Sequence, residues 1–194
     1  IFCLLVSALL FLVCLERWLR IRGCDHNCLA AFLTNCLGLI QCGAREVALF
    51  NRILIVCVGN ICRSPTAEKL LSAALASSDI EVSSAGLAAL PGHPLEPIAS
   101  QLLQEHGHTP LAHKARQLTS EAVSDADLVL VMEQRHIEGV LNLAPEARGK
   151  VFLLGKWQQN REIKDPYRQG KPAFVHAYAL IEQAAEAWAQ RLVG

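Results

Sequence analysis

From residue 52 onward, short apolar runs rich in β-branched residues alternate with amphipathic stretches of helical period. That alternation is the signature of buried strands joined by helices. It predicts strands over 52–57, 81–84, 128–131 and 151–154, and helices over 65–76, 97–106, 134–141 and about 173–191. Strand and helix in repeated order imply an α/β fold, a parallel sheet of about four strands with helices on both faces. In such sheets ligands gather beyond the carboxyl ends of the strands, so a site is expected just after the first one. No internal repeat or low-complexity tract interrupts the order.

Residues 1–48 follow a different pattern. Positions 1–15 are apolar except for Ser7, and Glu16-Arg17-Trp18-Leu19-Arg20-Ile21-Arg22 follows them. A helix that crosses a bilayer needs about 20 apolar residues, more than this run supplies. If it inserted, the arginines behind it would hold the following domain in the cytoplasm. A secretory signal is disfavoured, because the charge follows the apolar run and no small-residue cleavage pattern stands out. Six of the eight cysteines, Cys3, Cys14, Cys24, Cys28, Cys36 and Cys42, fall in this stretch without a paired Cys-x2-Cys spacing, and no zinc site is expected from them. The chain starts with Ile, its one methionine is Met132, and the composition changes just before Leu49-Phe50-Asn51-Arg52. Two readings stand: an extension whose residues 1–22 touch a membrane, and, preferred, upstream sequence ahead of a true start at Leu49. The expected organisation is a hydrophobic, Cys-rich extension over 1–48 and a single cytoplasmic domain over 49–194.

The composition changes this picture little. Of 194 residues 52% are hydrophobic, and 18 basic side chains balance 18 acidic ones. That is enough for one well-cored domain plus an extension, and nothing in the balance suggests a nucleic-acid partner.

Chemistry concentrates in Cys57-Val58-Gly59-Asn60-Ile61-Cys62-Arg63-Ser64-Pro65, where a strand end becomes a helix start. Free backbone N–H groups and the positive end of a helix dipole favour an anion there, and Gly59 and Asn60 are the residue types that most easily take left-handed conformations. The loop is not of the nucleotide-binding kind, which needs Gly-Lys-Ser/Thr around a triphosphate. A cysteine at a strand end is ordinarily a small buried hydrophobe, but here the surroundings favour its thiolate. Cys57 is therefore the candidate nucleophile. Arg63 suits bidentate clamping of two phosphoryl oxygens, and Ser64 is placed to donate to the Cys57 sulfur. A thiolate that displaces an alkoxide or phenoxide also needs a proton donor, a contribution of about 10²–10⁴-fold. Asp165, in Asp165-Pro166-Tyr167 between the last strand and the last helix, is the best candidate; taken alone, Asp-Pro is just a turn. Tyr167 could stack on a substrate ring or merely pack its loop. His93, between Gly92 and Pro94, reads as a solvated loop histidine. The scheme needs neither metal nor cofactor.

Residues 50–192, with this Cys-x5-Arg-Ser loop at the start and Asp-Pro-Tyr near the end, resemble the low-molecular-weight protein-tyrosine phosphatases. The resemblance implies that Cys57 is the nucleophile, Arg63 binds the phosphoryl group and Asp165 serves as acid, then base. It further implies a phosphate-binding loop of Val58, Gly59, Asn60, Ile61, Cys62 and Ser64, braced by Asn60 and Ser64, with Cys62 able to form a protective reversible disulfide with Cys57. Ser84-Ala85-Gly86-Leu87, Val131-Met132-Glu133, Ala144-Pro145-Glu146-Ala147-Arg148-Gly149-Lys150 and Asp165-Pro166-Tyr167-Arg168 resemble the bacterial branch found with exopolysaccharide and capsule export. In that branch the partner is a phosphotyrosyl protein, typically the tyrosine-rich tail of a membrane-bound tyrosine autokinase. Thiol-based arsenate reductases resemble the loop but need a resolving cysteine pair, and no cysteine follows Cys62. Protein-arginine phosphatases carry Thr where Ile61 stands, and an aliphatic side chain suits a phenyl ring better. A non-catalytic phosphotyrosine-binding regulator would be expected to have lost Cys57 or Asp165.

Overall fold

The computed structural model describes residues 50–109 and 112–193, so the expectations for residues 1–48 lie outside the described residues. Strands β1 (Arg52–Cys57), β2 (Glu81–Gly86), β3 (Leu128–Val131) and β4 (Val151–Leu153) form one sheet in the order β2-β1-β3-β4. Every neighbouring pair is parallel, with Cys57 opposite Gly86 and Val56 opposite both Ala85 and Val131. The crossovers are helices α1 (Arg63–Ala74), α2 (Pro97–Glu105), α3 (Ser120–Asp125) and α4 (Gln134–Leu143), and α5 (Lys171–Val193) closes the chain.

Strand periodicity divides the core in two. Ile53, Ile55 and Cys57 point to one face of β1, where they meet Leu71 of α1, Leu103 of α2 and Phe174 and Ile181 of α5. Leu54 and Val56 point to the other face, against Val123 of α3 and Val140 of α4. Helices therefore cover both faces, as the pattern predicts. Truncating any of these buried Leu or Ile side chains to Ala would cost about 2–5 kcal/mol. Two contacts tie α5 into the domain: the Trp188 indole N–H donates to the Leu154 carbonyl at 2.8 Å, and Tyr178 stacks on His106 with ring centroids 4.3 Å apart.

Some boundaries differ from the sequence reading, for local reasons. Helix α1 starts at Arg63 rather than 65, because the Cys62 carbonyl already accepts from the Thr66 N–H (3.2 Å) and hydroxyl (2.8 Å). β2 runs on to Gly86, since pairing with Cys57 extends it past the β-branched run. The six-residue α3 carries too few turns to show a period; it is started by Thr119, whose hydroxyl accepts from the Ala122 N–H. Among the described residues no helix is long and apolar enough to cross a membrane.

Candidate active site

The loop between β1 and α1 owes its shape to where its carbonyls go. Those of Cys57, Val58 and Gly59 accept from the N–H groups of Leu87 (2.9 Å), Ala88 (3.0 Å) and Leu90 (3.3 Å). The Ile61 carbonyl accepts from the Glu96 N–H at 2.8 Å, and the Asn60 carbonyl lies 2.6 Å from His113 Nε2. Each carbonyl is thus engaged from outside the loop. Because a peptide is planar and trans, the next residue's N–H must face the opposite way, into the loop. The Asn60 N–H shows the result directly, donating to Cys57 Sγ at 3.2 Å. The inward N–H groups and the start of α1 form an anion cradle whose floor is Cys57.

Of the two residues expected to turn left-handed, only Asn60 does so, at φ 54°. Gly59 keeps an ordinary φ, and a Cβ there would meet nothing nearer than Ile61 Cγ1 at 3.5 Å. The glycine the loop needs lies on β2 instead. A Cβ on Gly86 would come within 2.5 Å of the Val58 carbonyl oxygen and 3.0 Å of Asn60 Cβ.

Asn60 is fully buried and faces away from the cavity. Its amide donates to Ser64 Oγ and Ser84 Oγ, both at 2.9 Å, while its carbonyl oxygen accepts from the Arg116 N–H at 2.9 Å. Ser64 Oγ lies 2.9 Å from Cys57 Sγ. Since that hydroxyl oxygen already accepts from Asn60, its own proton is free to point at the sulfur. Burial first, then the neighbouring Cys57, push the Cys62 thiol well up, so Cys62 keeps its proton near neutrality and leaves the nucleophile's part to Cys57.

Arg63 is 2% exposed, an unusual place for a guanidinium. Its Nη1 donates to Glu133 Oε1 (2.6 Å) and to the Ile163 carbonyl (2.9 Å), and its Nη2 pairs with Asp165 Oδ2 at 2.7 Å. Its Nε has no partner among the described residues, a buried donor suited to an incoming oxyanion. Burial alone would raise the Glu133 carboxyl, but hydrogen bonds from Arg63 and Arg135 outweigh it and hold the group below its ordinary range. Glu133 was visible in the sequence only as part of a family-like stretch. Nothing local marked it, or Ser84 and His113, as partners of a loop dozens of residues away.

Above the cradle the walls are Ile61, Ala88, Leu90, Asp165 and Tyr167, with Cys57, Val58, Gly59, Cys62 and Arg63 below. Cys57, Arg63, Asp165 and Tyr167 thus meet at one cavity, whereas His93 is exposed outside its lining. Leu90 and Tyr167 are more than 40% exposed, which leaves an apolar rim open to solvent.

The family model for low molecular weight phosphotyrosine protein phosphatases matches residues 52–193. The chain belongs to that family. As a member it is a protein-tyrosine phosphatase, and its similarity to individual relatives is high. It is 48% identical over 144 residues to the low molecular weight protein-tyrosine-phosphatase Wzb of Salmonella typhimurium, a match spanning 74% of this chain and 95% of that protein. A solved structure of Vibrio vulnificus Wzb in complex with benzylphosphonate is 50% identical, with a TM-score of 0.71 over 74% of this chain and 99% of that one. More distant is the YwlE arginine phosphatase from Geobacillus stearothermophilus, 33% identical with a TM-score of 0.69 over 73% of this chain and 92% of that one.

Proposed function

We propose that this phosphatase hydrolyses phosphotyrosine in proteins through a phosphocysteine intermediate, with Cys57, Arg63 and Asp165 as its working groups. The observation that carries the assignment is the convergence of a thiol, a buried guanidinium and a carboxylate on one cavity with an inward ring of N–H groups.

The phosphoryl oxygens bind the loop N–H groups and Arg63, replacing Asp165 on Nη2. Cys57 Sγ attacks phosphorus in line with the tyrosyl oxygen; the S–P bond forms as the P–O bond breaks. Asp165, released from Arg63 and protonated, gives its proton to the departing phenol oxygen. Water then attacks phosphocysteine, Asp165 takes its proton, and the S–P bond breaks to give inorganic phosphate and free thiolate. The Ser64 hydroxyl eases that departure by donating to the sulfur. Ile61, Leu90 and Tyr167 border the cavity with apolar surface that fits a phenyl ring, and benzylphosphonate, held by the Vibrio vulnificus relative, carries the same aryl-and-phosphorus head. Those apolar walls favour tyrosine over a guanidinium substrate.

In the cell we place this activity in the cytoplasm, on the tyrosine-rich tail of a membrane-bound autokinase of exopolysaccharide export, as the likeness to Wzb supports. Cys62 would protect the nucleophile by condensing with its sulfenic acid. We propose residues 49–194 as the catalytic domain, with residues 1–48 an extension ahead of it. The deciding experiment is Cys57→Ser. It should abolish p-nitrophenyl phosphate turnover and the acid-quenched phosphoenzyme, yet still bind a phosphate ester through the cradle and Arg63. Turnover at the wild-type rate would remove Cys57 from the mechanism.

A further inference from the structure

Asp165 forms a wall with a face on each side. One borders the catalytic cavity. The other borders a groove of about 340 Å³ whose apolar part is Pro166, Ala173, Ala177 and Leu180 and whose rim carries Arg161, Lys164 and His176. Two carboxylates also line it, and one of them is held by a cation of the catalytic site. Glu162 accepts from the Gln134 N–H at 2.8 Å, and Asp165 is held by Arg63. The cations have no such engagement: among the described residues neither Arg161, Lys164 nor His176 makes an ion pair with an acidic side chain. Arg168, next along the loop, lies over the Tyr167 ring at 5.2 Å. With Asp165 paired to Arg63, the cations Arg161, Lys164 and Arg168 stand against one carboxylate, Glu162, that makes no ion pair among the described residues, beside the mouth of the site.

We propose that the groove behind the acid loop receives an acidic stretch of the same polypeptide whose phosphotyrosine occupies the catalytic cavity. An apolar side chain of that stretch packs on Ala173 and Leu180, and carboxylates beside it meet Arg161 and Lys164, with the His176 ring adding a donor. The inference rests on the phosphatase reading and deepens it, since it names the kind of sequence that is dephosphorylated fastest. Exposed ion pairs are individually weak and are screened by salt, so the groove would tune KM rather than the chemical step.

The test uses the full chain and three substrates: p-nitrophenyl phosphate, which is too small to reach the groove, and two phosphotyrosyl peptides of equal length, one flanked by Asp and Glu and one by Asn and Gln. The wild type should favour the acidic peptide through a lower KM, and added salt should erode the preference. The double variant Arg161→Gln/Lys164→Gln should raise KM for the acidic peptide about 3–10-fold, while the neutral peptide and p-nitrophenyl phosphate change less than about twofold. Equal wild-type constants on the two peptides, or a preference that survives the double variant, would overturn the groove assignment while leaving the phosphatase intact. A wild type inert even on p-nitrophenyl phosphate would instead remove the phosphatase reading, and the groove with it.

Discussion

The pairing of Arg63 with Asp165 at 2.7 Å places the proposed acid on the residue that is to bind the phosphoryl group. So placed, it can act as a donor only after the phosphoryl oxygens have taken its place on Arg63. Asp165→Asn keeps the size of the side chain and an oxygen for the Tyr167 N–H, which Oδ1 accepts at 3.2 Å, so the loop should keep its shape. The transferable proton is lost, and with it the charge that pairs with Arg63. Turnover of phenyl phosphate, whose leaving group is basic, should fall about 10²–10³-fold, against less than about 10-fold for p-nitrophenyl phosphate. Measuring both esters in wild type and variant separates the roles, because an Asp165 that merely stiffened its loop would cost the two equally.

Among the secondary-structure elements, the junction of β1, β2 and α1 decides the site. The α1 ladder begins at the Cys62 carbonyl, which puts Arg63 and Ser64 in the first helical turn beside the strand end that carries Cys57. β2 lies against the loop so closely that its last position leaves no room for a side chain. Gly86→Ala would press a methyl group on the Val58 carbonyl and on Asn60, a cost of about 1–3 kcal/mol relieved by moving the loop. We expect at least a 10-fold loss of kcat/KM on p-nitrophenyl phosphate with native near-UV circular dichroism. Unchanged kinetics would show that the cradle tolerates displacement and that its N–H groups need no exact placement.

For the whole molecule, the same electrostatic cluster sets a limit on acid stability. His136, on α4, is 2% exposed and neither ring nitrogen has a hydrogen-bond partner among the described residues; Nε2 lies 3.5 Å from Glu133 Oε1. Burial, aided by the charges of Arg63 and Arg135 and opposed by Glu133 and Asp165, lowers its pKa from the ordinary 6.5. A histidine kept neutral in the fold takes up protons more readily when unfolded. Its stabilising effect is therefore complete above pH about 6.5 and is lost as pH falls toward its lowered folded value. Glu133, also lowered, adds a further loss below about 4.5, its ordinary value. The urea midpoint of the wild type should fall between pH 7 and pH 5, and His136→Phe, similar in volume and without a titrating group, should flatten that fall. A wild-type midpoint constant over this range would show that His136 does not couple folding to protons.

The residues from Cys57 to Ser64 are contiguous, so backbone geometry alone brings thiol, amides and guanidinium together, and this much could be read before any fold was known. The strand-and-helix order was equally legible, because burial on both faces of a parallel sheet writes continuous apolar runs into the chain. Asp165 could be singled out because the chemistry demands an acid, yet only the fold carries it to Arg63. Glu133 is separated from Arg63 by 70 residues and His113 from Asn60 by 53, and their approach depends on strand order and register, which no local pattern encodes. The need for Gly86 likewise arises from a contact between β2 and the loop after β1, whereas Gly59, suspect by residue type, proved conformationally ordinary. Chemistry carried by neighbouring residues is thus determined by sequence, and the partners that orient it are decided by tertiary packing, since an interaction across the chain exists only once the sheet has brought its two ends together.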